Sequence, residues 1–165
     1  MYSICMCEGI GRAAPTTGYL VWRLLLKWRA AMDRALAPLG LTHARYSLLA
    51  SLYALSQAGR RPSQRELADF SGLEPVFISR LARALEQGGL VERDPHPADP
   101  RAFQLRITQR GLEVVTAAID VVQRLDERQL APLGGRSSPR SAELREMLWT
   151  LLGDEDHDGD TLTCG

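Results

Sequence analysis

The chain has 165 residues, 45% of them hydrophobic and 24% charged, with 20 basic and 20 acidic side chains. That composition excludes a disordered chain and gives enough apolar residues for one globular domain or two intergrown modules. Three cysteines, Cys5, Cys7 and Cys164, stand near the two ends, too few and too scattered for a disulfide framework, so a reducing cytoplasm is expected.

Zero net charge argues poorly for a nucleic-acid partner until its distribution is considered. Five acids follow Gly153 (Asp154, Glu155, Asp156, Asp158 and Asp160), leaving 20 basic against 15 acidic residues elsewhere. Between Arg60 and Arg110 there are nine Arg, no Lys and seven acids. Local clustering, not the total, sets the field a phosphate meets.

Residues 1–16 have no periodicity and are expected to form a flexible arm. A long helix is predicted from Thr17 to Ala37. Its apolar residues, among them Tyr19, Leu20, Val21, Trp22, Leu24, Leu25 and Leu26, cover more than one face, so a second subunit is the simplest cover. Arg23, Lys27 and Arg29 interrupt the run, which therefore cannot span a membrane. No segment reads as a secretion signal.

Thr42 caps a second helix running to about Gln57, with Tyr46, Leu49, Leu52 and Tyr53 as its main stripe. Ser63 and Glu66 form a capping box that opens a third helix. Gly72 suits the turn that follows, and Pro75 suits the first turn of a fourth helix. That helix stops at Gly88-Gly89. Ala68 is small enough for a close helix crossing, with Leu67 and Leu73 on either side of the turn. Ile78, Leu81 and Leu85 mark the buried side of the fourth helix.

Leu90 to Asp94 and Phe103 to Thr108 read as two strands around a loop holding three Pro residues. Phe103, Leu105 and Ile107 alternate with Gln104 and Arg106, the period of a half-buried strand. Asp99-Pro100-Arg101 is expected at the hairpin tip. A fifth helix from Thr108 to about Leu130 carries two apolar stripes: Leu112, Val115, Ile119 and Val122, then Val114, Ala118, Val121 and Leu125. Pro132 to Pro139 reads as a loop. The last helix shows Leu144, Met147, Leu148, Leu151 and Leu152 and ends at Gly153.

The fold expected is mainly α with a small β-hairpin wing: a winged helix-turn-helix over 41–107, flanked by dimerisation helices at 17–40 and 108–152, with a disordered acidic tail at 153–165. The fourth helix then presents Pro75, Val76, Phe77, Ser79, Arg80 and Arg83. Arg can bond guanine bidentately, Ser can bond several bases, and an apolar side chain can touch a thymine methyl. Free N–H groups at its amino end would favour a phosphate. Ser63 and Gln64 at the start of the third helix, and Arg93 in the wing, complete the DNA-facing candidates with Arg101, whose charge suits a narrow minor groove. Asp99 is expected to orient Arg93 or Arg101 by a charge-assisted bond.

The order LAPLGLTHARYSLLASLYAL, SQRELADFSGLEPVFISRLARALEQGGLVERD and DPRAFQLRITQRG resembles the MarR family of winged helix-turn-helix transcription regulators over about Gly18 to Leu152. Val76 and Phe77 stand where small hydroxyl residues are common in that family, so no operator base is inferred. The resemblance implies a homodimeric regulator, a repressor before an activator, binding a near-palindromic operator and released by a small aromatic or anionic effector. Trp22, Arg23 and Tyr46 are the candidate effector contacts. A protein-interaction module on the same fold is the alternative.

Asp154 to Asp160 imitates the opening of a calcium loop, but its twelfth position is Gly165 and no exit helix follows. Cys5 and Cys7 have no obvious flanking base to lower a thiol pKa. His43, His96 and His157 lack ligand spacing with the cysteines. No catalytic constellation stands out, so neither an enzyme, a metal nor a cofactor is expected.

Overall fold

The computed structural model describes residues 14–96 and 99–153, and at 99–101 the backbone alone. The cysteines, the acidic residues beyond Gly153 and the arm through residue 13 lie outside the described residues, as do the side chains of Asp99 and Arg101.

Helix α1 (Thr17–Leu36) begins where the Thr16 hydroxyl accepts from the Tyr19 amide, and it passes into a 3-10 turn at Ala37–Leu39. The second helix, α2 (His43–Gln57), is capped by Thr42. Next come α3 (Gln64–Ser71) and α4 (Pro75–Gln87), joined at Gly72, whose φ of 65° is the left-handed conformation that glycine tolerates. Strands β1 (Val91–His96) and β2 (Asp99–Ile107) form one antiparallel hairpin. Helix α5 (Gln109–Leu130), a 3-10 turn at Ala131–Leu133 and α6 (Pro139–Leu152) complete the described chain.

The core collects where α2, α3 and α4 meet α5 and the base of the hairpin. Leu36, Leu48, Leu49, Leu67, Ile78, Ala82, Val115 and Ala118 are fully enclosed there. Two details of the sequence reading change. In α2 the deepest residues are Leu48, Leu49, Leu52 and Leu55, while Tyr46 and Tyr53 are only half-buried. Helix α2 touches α1, α3, α4, α5 and β2, and that wide arc needs aliphatic residues on more than one stripe. The strands also run further toward the turn than expected. His96 pairs with Asp99, so Asp99 and Arg101 belong to β2 and not to the turn. A two-stranded hairpin has only edges, and an edge tolerates a proline without an N–H.

Helix α5 is tied to the turn after α4. Thr108 donates its amide to the Leu90 carbonyl (3.1 Å) and its hydroxyl to the Gly89 carbonyl (2.8 Å), while its hydroxyl also accepts from Gly111. Gly111 is buried against Leu90, where a side chain would collide.

The outer helices are left uncovered. Tyr19, Leu20, Val21, Trp22, Leu24, Leu25 and Leu26 are 41–55% exposed, and Met147, Leu151 and Leu152 of α6 are 52–71% exposed. Ser141 is the one buried residue of α6. A helix of 14 residues is marginal in water without packing.

Candidate nucleic-acid interface

Local chemistry fixes the start of α3. The Ser63 hydroxyl accepts from the Glu66 amide at 3.1 Å, and the Ser63 amide donates to Glu66 Oε2 at 2.7 Å. That backbone bond, followed by the Ser63 hydroxyl and Arg60, holds the Glu66 carboxyl below its ordinary pKa. Arg60 pairs with the other oxygen at 3.2 Å. Ser63 is itself buried, because its segment also bridges to Gln104 of β2. Its hydroxyl is therefore a cap first.

Helix α4 turns Ile78, Leu81, Ala82 and Leu85 inward. Pro75, Val76, Phe77, Arg80 and Arg83 are exposed, and Ser79 is half-exposed. Val76 reaches 76% exposure, unusual for a lone valine on a folded domain. Arg80 and Arg83 have no ion-pair partner among the described residues. One expectation needs amending. Phe77 and Ile78 both donate to the Glu74 carbonyl (2.9 and 3.1 Å), and Pro75 has no N–H to give. The amino end of α4 thus has almost no free donors, and any anion held there would depend on side chains.

A notch separates α3 and α4 from the wing. Ser63, Gln64, Arg65, Asp69, Pro75, Ala102 and Phe103 line it. Gln64 Nε2 is buried and has no hydrogen-bond partner among the described residues. A buried donor without an acceptor costs stability, so its presence beside an exposed helix face needs an explanation.

In the wing, Arg93 Nε donates to Glu86 Oε2 at 2.7 Å, and its guanidinium lies 5.1 Å from the Phe103 ring centre. The sequence reading overlooked Glu86; it stands seven residues away across a chain reversal, beyond any local spacing rule. Arg106 pairs with Glu92 and approaches Asp94 at 3.7 Å on the hairpin's other face.

The candidate effector residues lie on two helices, α1 and α2. Trp22 and Arg23 group with Tyr19 on α1, where the rings of Tyr19 and Trp22 lie 6.1 Å apart and Arg23 sits 5.8 Å from the Tyr19 ring. Tyr46 packs against the core from α2. A cleft between α1, α2, α5 and α6 is lined instead by Val21, Leu24, Leu25, Trp28, Arg29, Met32, His43, Val122 and Leu148. Burial, then Arg29, lowers the His43 pKa against the opposing pull of Asp33, and the Asp33 carboxylate accepts the His43 amide at 2.7 Å.

A comparison with known proteins matches residues 41–103 to the MarR family. The HTH-type transcriptional repressor Rv2887 of Mycobacterium tuberculosis is 33% identical over 148 residues, which cover 88% of this chain and 99% of the relative. The uncharacterized HTH-type transcriptional regulator YdcH of Bacillus subtilis is 36% identical over 110 residues, 67% of this chain and 75% of YdcH. Among solved structures, the transcriptional repressor CouR bound to a 23-mer DNA duplex superposes with a TM-score of 0.67 at 28% identity, covering 84% of this chain and 90% of CouR.

Proposed function

The chain belongs to the MarR family of winged-helix DNA-binding transcription regulators, and from that premise we propose that it is a homodimeric repressor whose α4 reads the major groove. The observation that carries this reading is the outward face of α4. Val76, Phe77, Arg80 and Arg83 are exposed together, and neither arginine is spent on an internal carboxylate. Isolated valine and phenylalanine side chains gain nothing in water, but base methyl groups and two guanines or phosphates would use that set. Ser79 adds a hydroxyl. Gln64 Nε2 has a place in the same scheme, since a phosphate oxygen entering the notch would supply its missing acceptor. By its sequence Arg101 would suit the flanking minor groove, with Asp99 as the group to orient it.

The second subunit follows from the uncovered apolar residues of α1 and α6. Twofold pairing of these helices would hide them and set two copies of α4 about 34 Å apart, one turn of B-form duplex. The effector, an aromatic or anionic small molecule, fits the α1–α2–α5–α6 cleft better than the Trp22, Arg23 and Tyr46 set. The cleft's volume of about 340 Å³ suits a single-ring ligand, and Arg29 would face its charge with His43 as a hydrogen-bonding neighbour. A ligand there would shift α5, and α5 is bonded to the end of α4 through Thr108. No helix among the described residues is long and apolar enough to cross a membrane.

Selection of duplexes from a random pool by the full-length protein tests this reading. The expected product is an inverted repeat with half-site centres about one helical turn apart. Recovery of unrelated sequences with no repeat would favour an assembly module.

A further inference from the structure

The wing is a two-stranded hairpin, which is marginally stable by itself. Its bearing on α4 must come from anchors outside the strands. One lies at its base, where the Leu105 amide donates to the Pro62 carbonyl at 3.0 Å and Gln104 bridges to Ser63. That anchor ties β2 to the entry of α3, while the start of β1 is held to α4 by the Leu90 amide on the Leu85 carbonyl and by buried Val91, and the outer part of β1 beyond it has neither. The second anchor is the contact of Arg93 with Glu86, at the last turn of α4, and with the Phe103 ring on β2. One guanidinium thus joins three elements: the recognition helix, β1 and β2.

We infer that Glu86, Arg93 and Phe103 form a clamp that fixes the angle of the wing to α4, and that Arg93 supports DNA binding as a positioning residue without touching phosphate. The inference rests on the DNA-binding reading above. Three features separate it from a direct contact. A guanidinium bonded to a carboxylate at 2.7 Å has most of its charge neutralised. Its side chain is 20% exposed, against 37% for Glu86, so Arg93 is the more enclosed of the two. Phe103 also lines the notch beside Gln64 and Pro75, so a tilt of the wing would reshape the surface next to the recognition helix. Planar stacking and a directed bond from the same group are properties of Arg that Lys does not share.

The test uses full-length protein and the duplex recovered by selection. Glu86→Gln, Arg93→Gln and the charge-reversed pair Glu86→Arg with Arg93→Glu are compared with the wild type. Both single variants are expected to bind about five- to tenfold more weakly, the effect of losing one charge-assisted bond. Their slope of log K against log salt should equal that of the wild type. Hydroxyl-radical protection should fade at the minor-groove flanks and persist in the central major grooves. The reversed pair should recover most of the affinity. If Arg93→Gln flattens the salt slope by about one unit while Glu86→Gln binds as tightly as the wild type, Arg93 is a phosphate contact and the clamp is wrong. Unchanged affinity and footprint in Glu86→Gln would also overturn it. A wild type that binds no duplex would instead remove the DNA-binding reading itself.

Discussion

Replacing Gly111 with Ala should destabilise the protein, against the usual direction for a helix. Inside an ordinary helix this change gains about 1 kcal/mol. Here the new methyl would overlap the Leu90 carbonyl oxygen and stand 2.9 Å from Ile107 Cγ2. The Leu90 oxygen belongs to the turn that α5 grips through the Thr108 amide and hydroxyl. Relief of the overlap requires that turn to part from α5. Stretching two bonds costs about 1 kcal/mol each, and the added bulk costs about 1–3 kcal/mol. After subtracting the helix gain, the net loss is about 3 kcal/mol, equivalent to a fall in Tm of about 6–12 °C. Thermal unfolding followed by circular dichroism reads this directly, at one fixed protein concentration because a dimer's Tm depends on it. A Tm equal to or above the wild type would refute the close packing of α5 on the α4–β1 turn.

Three further outcomes are expected. Leu151→Glu, placed on the exposed face of α6, should shift sedimentation equilibrium toward the monomer, and an unchanged dimer would exclude α6 from the interface. Arg83→Ala, on the outward face of α4, should weaken operator binding by about 1–3 kcal/mol and relax preference at one base pair if it reads guanine. The Glu66 carboxyl is held below its ordinary pKa chiefly by the Ser63 amide, so its stabilising effect is present above the unfolded pKa and lost as pH falls through the folded one. Glu66→Gln should therefore reduce the acid-side fall in Tm, and a fall identical to the wild type would rule out the capping box as its source.

Short-range chemistry was the most legible part of the sequence. Ser63 with Glu66, Gly72, Pro75 and Thr108 each specify a cap or turn within four residues, and each stands where that chemistry requires. Burial along α4 was equally legible because its neighbours lie on one side, with Ile78, Leu81 and Leu85 inward. Periodicity served α2 less well, since a helix touching five elements buries Leu48 and Leu55 along with Leu49 and Leu52. The full length of the wing is hidden by three prolines that suit a loop, although a hairpin edge accepts them too. Glu86 is not legible as a partner of Arg93, since the two meet only because β1 folds back along α4. The cleft beside Arg29 and His43 arises from the relative placement of four helices, and no single segment encodes such a space.

The proposed function requires α4 to act as a charged reading surface. The salt dependence of binding by the full-length protein measures that most directly. Several phosphate contacts should make log K fall steeply and linearly with log salt, by about 0.9 per phosphate neutralised. A slope near zero, or no binding to the selected duplex at low salt, would contradict it.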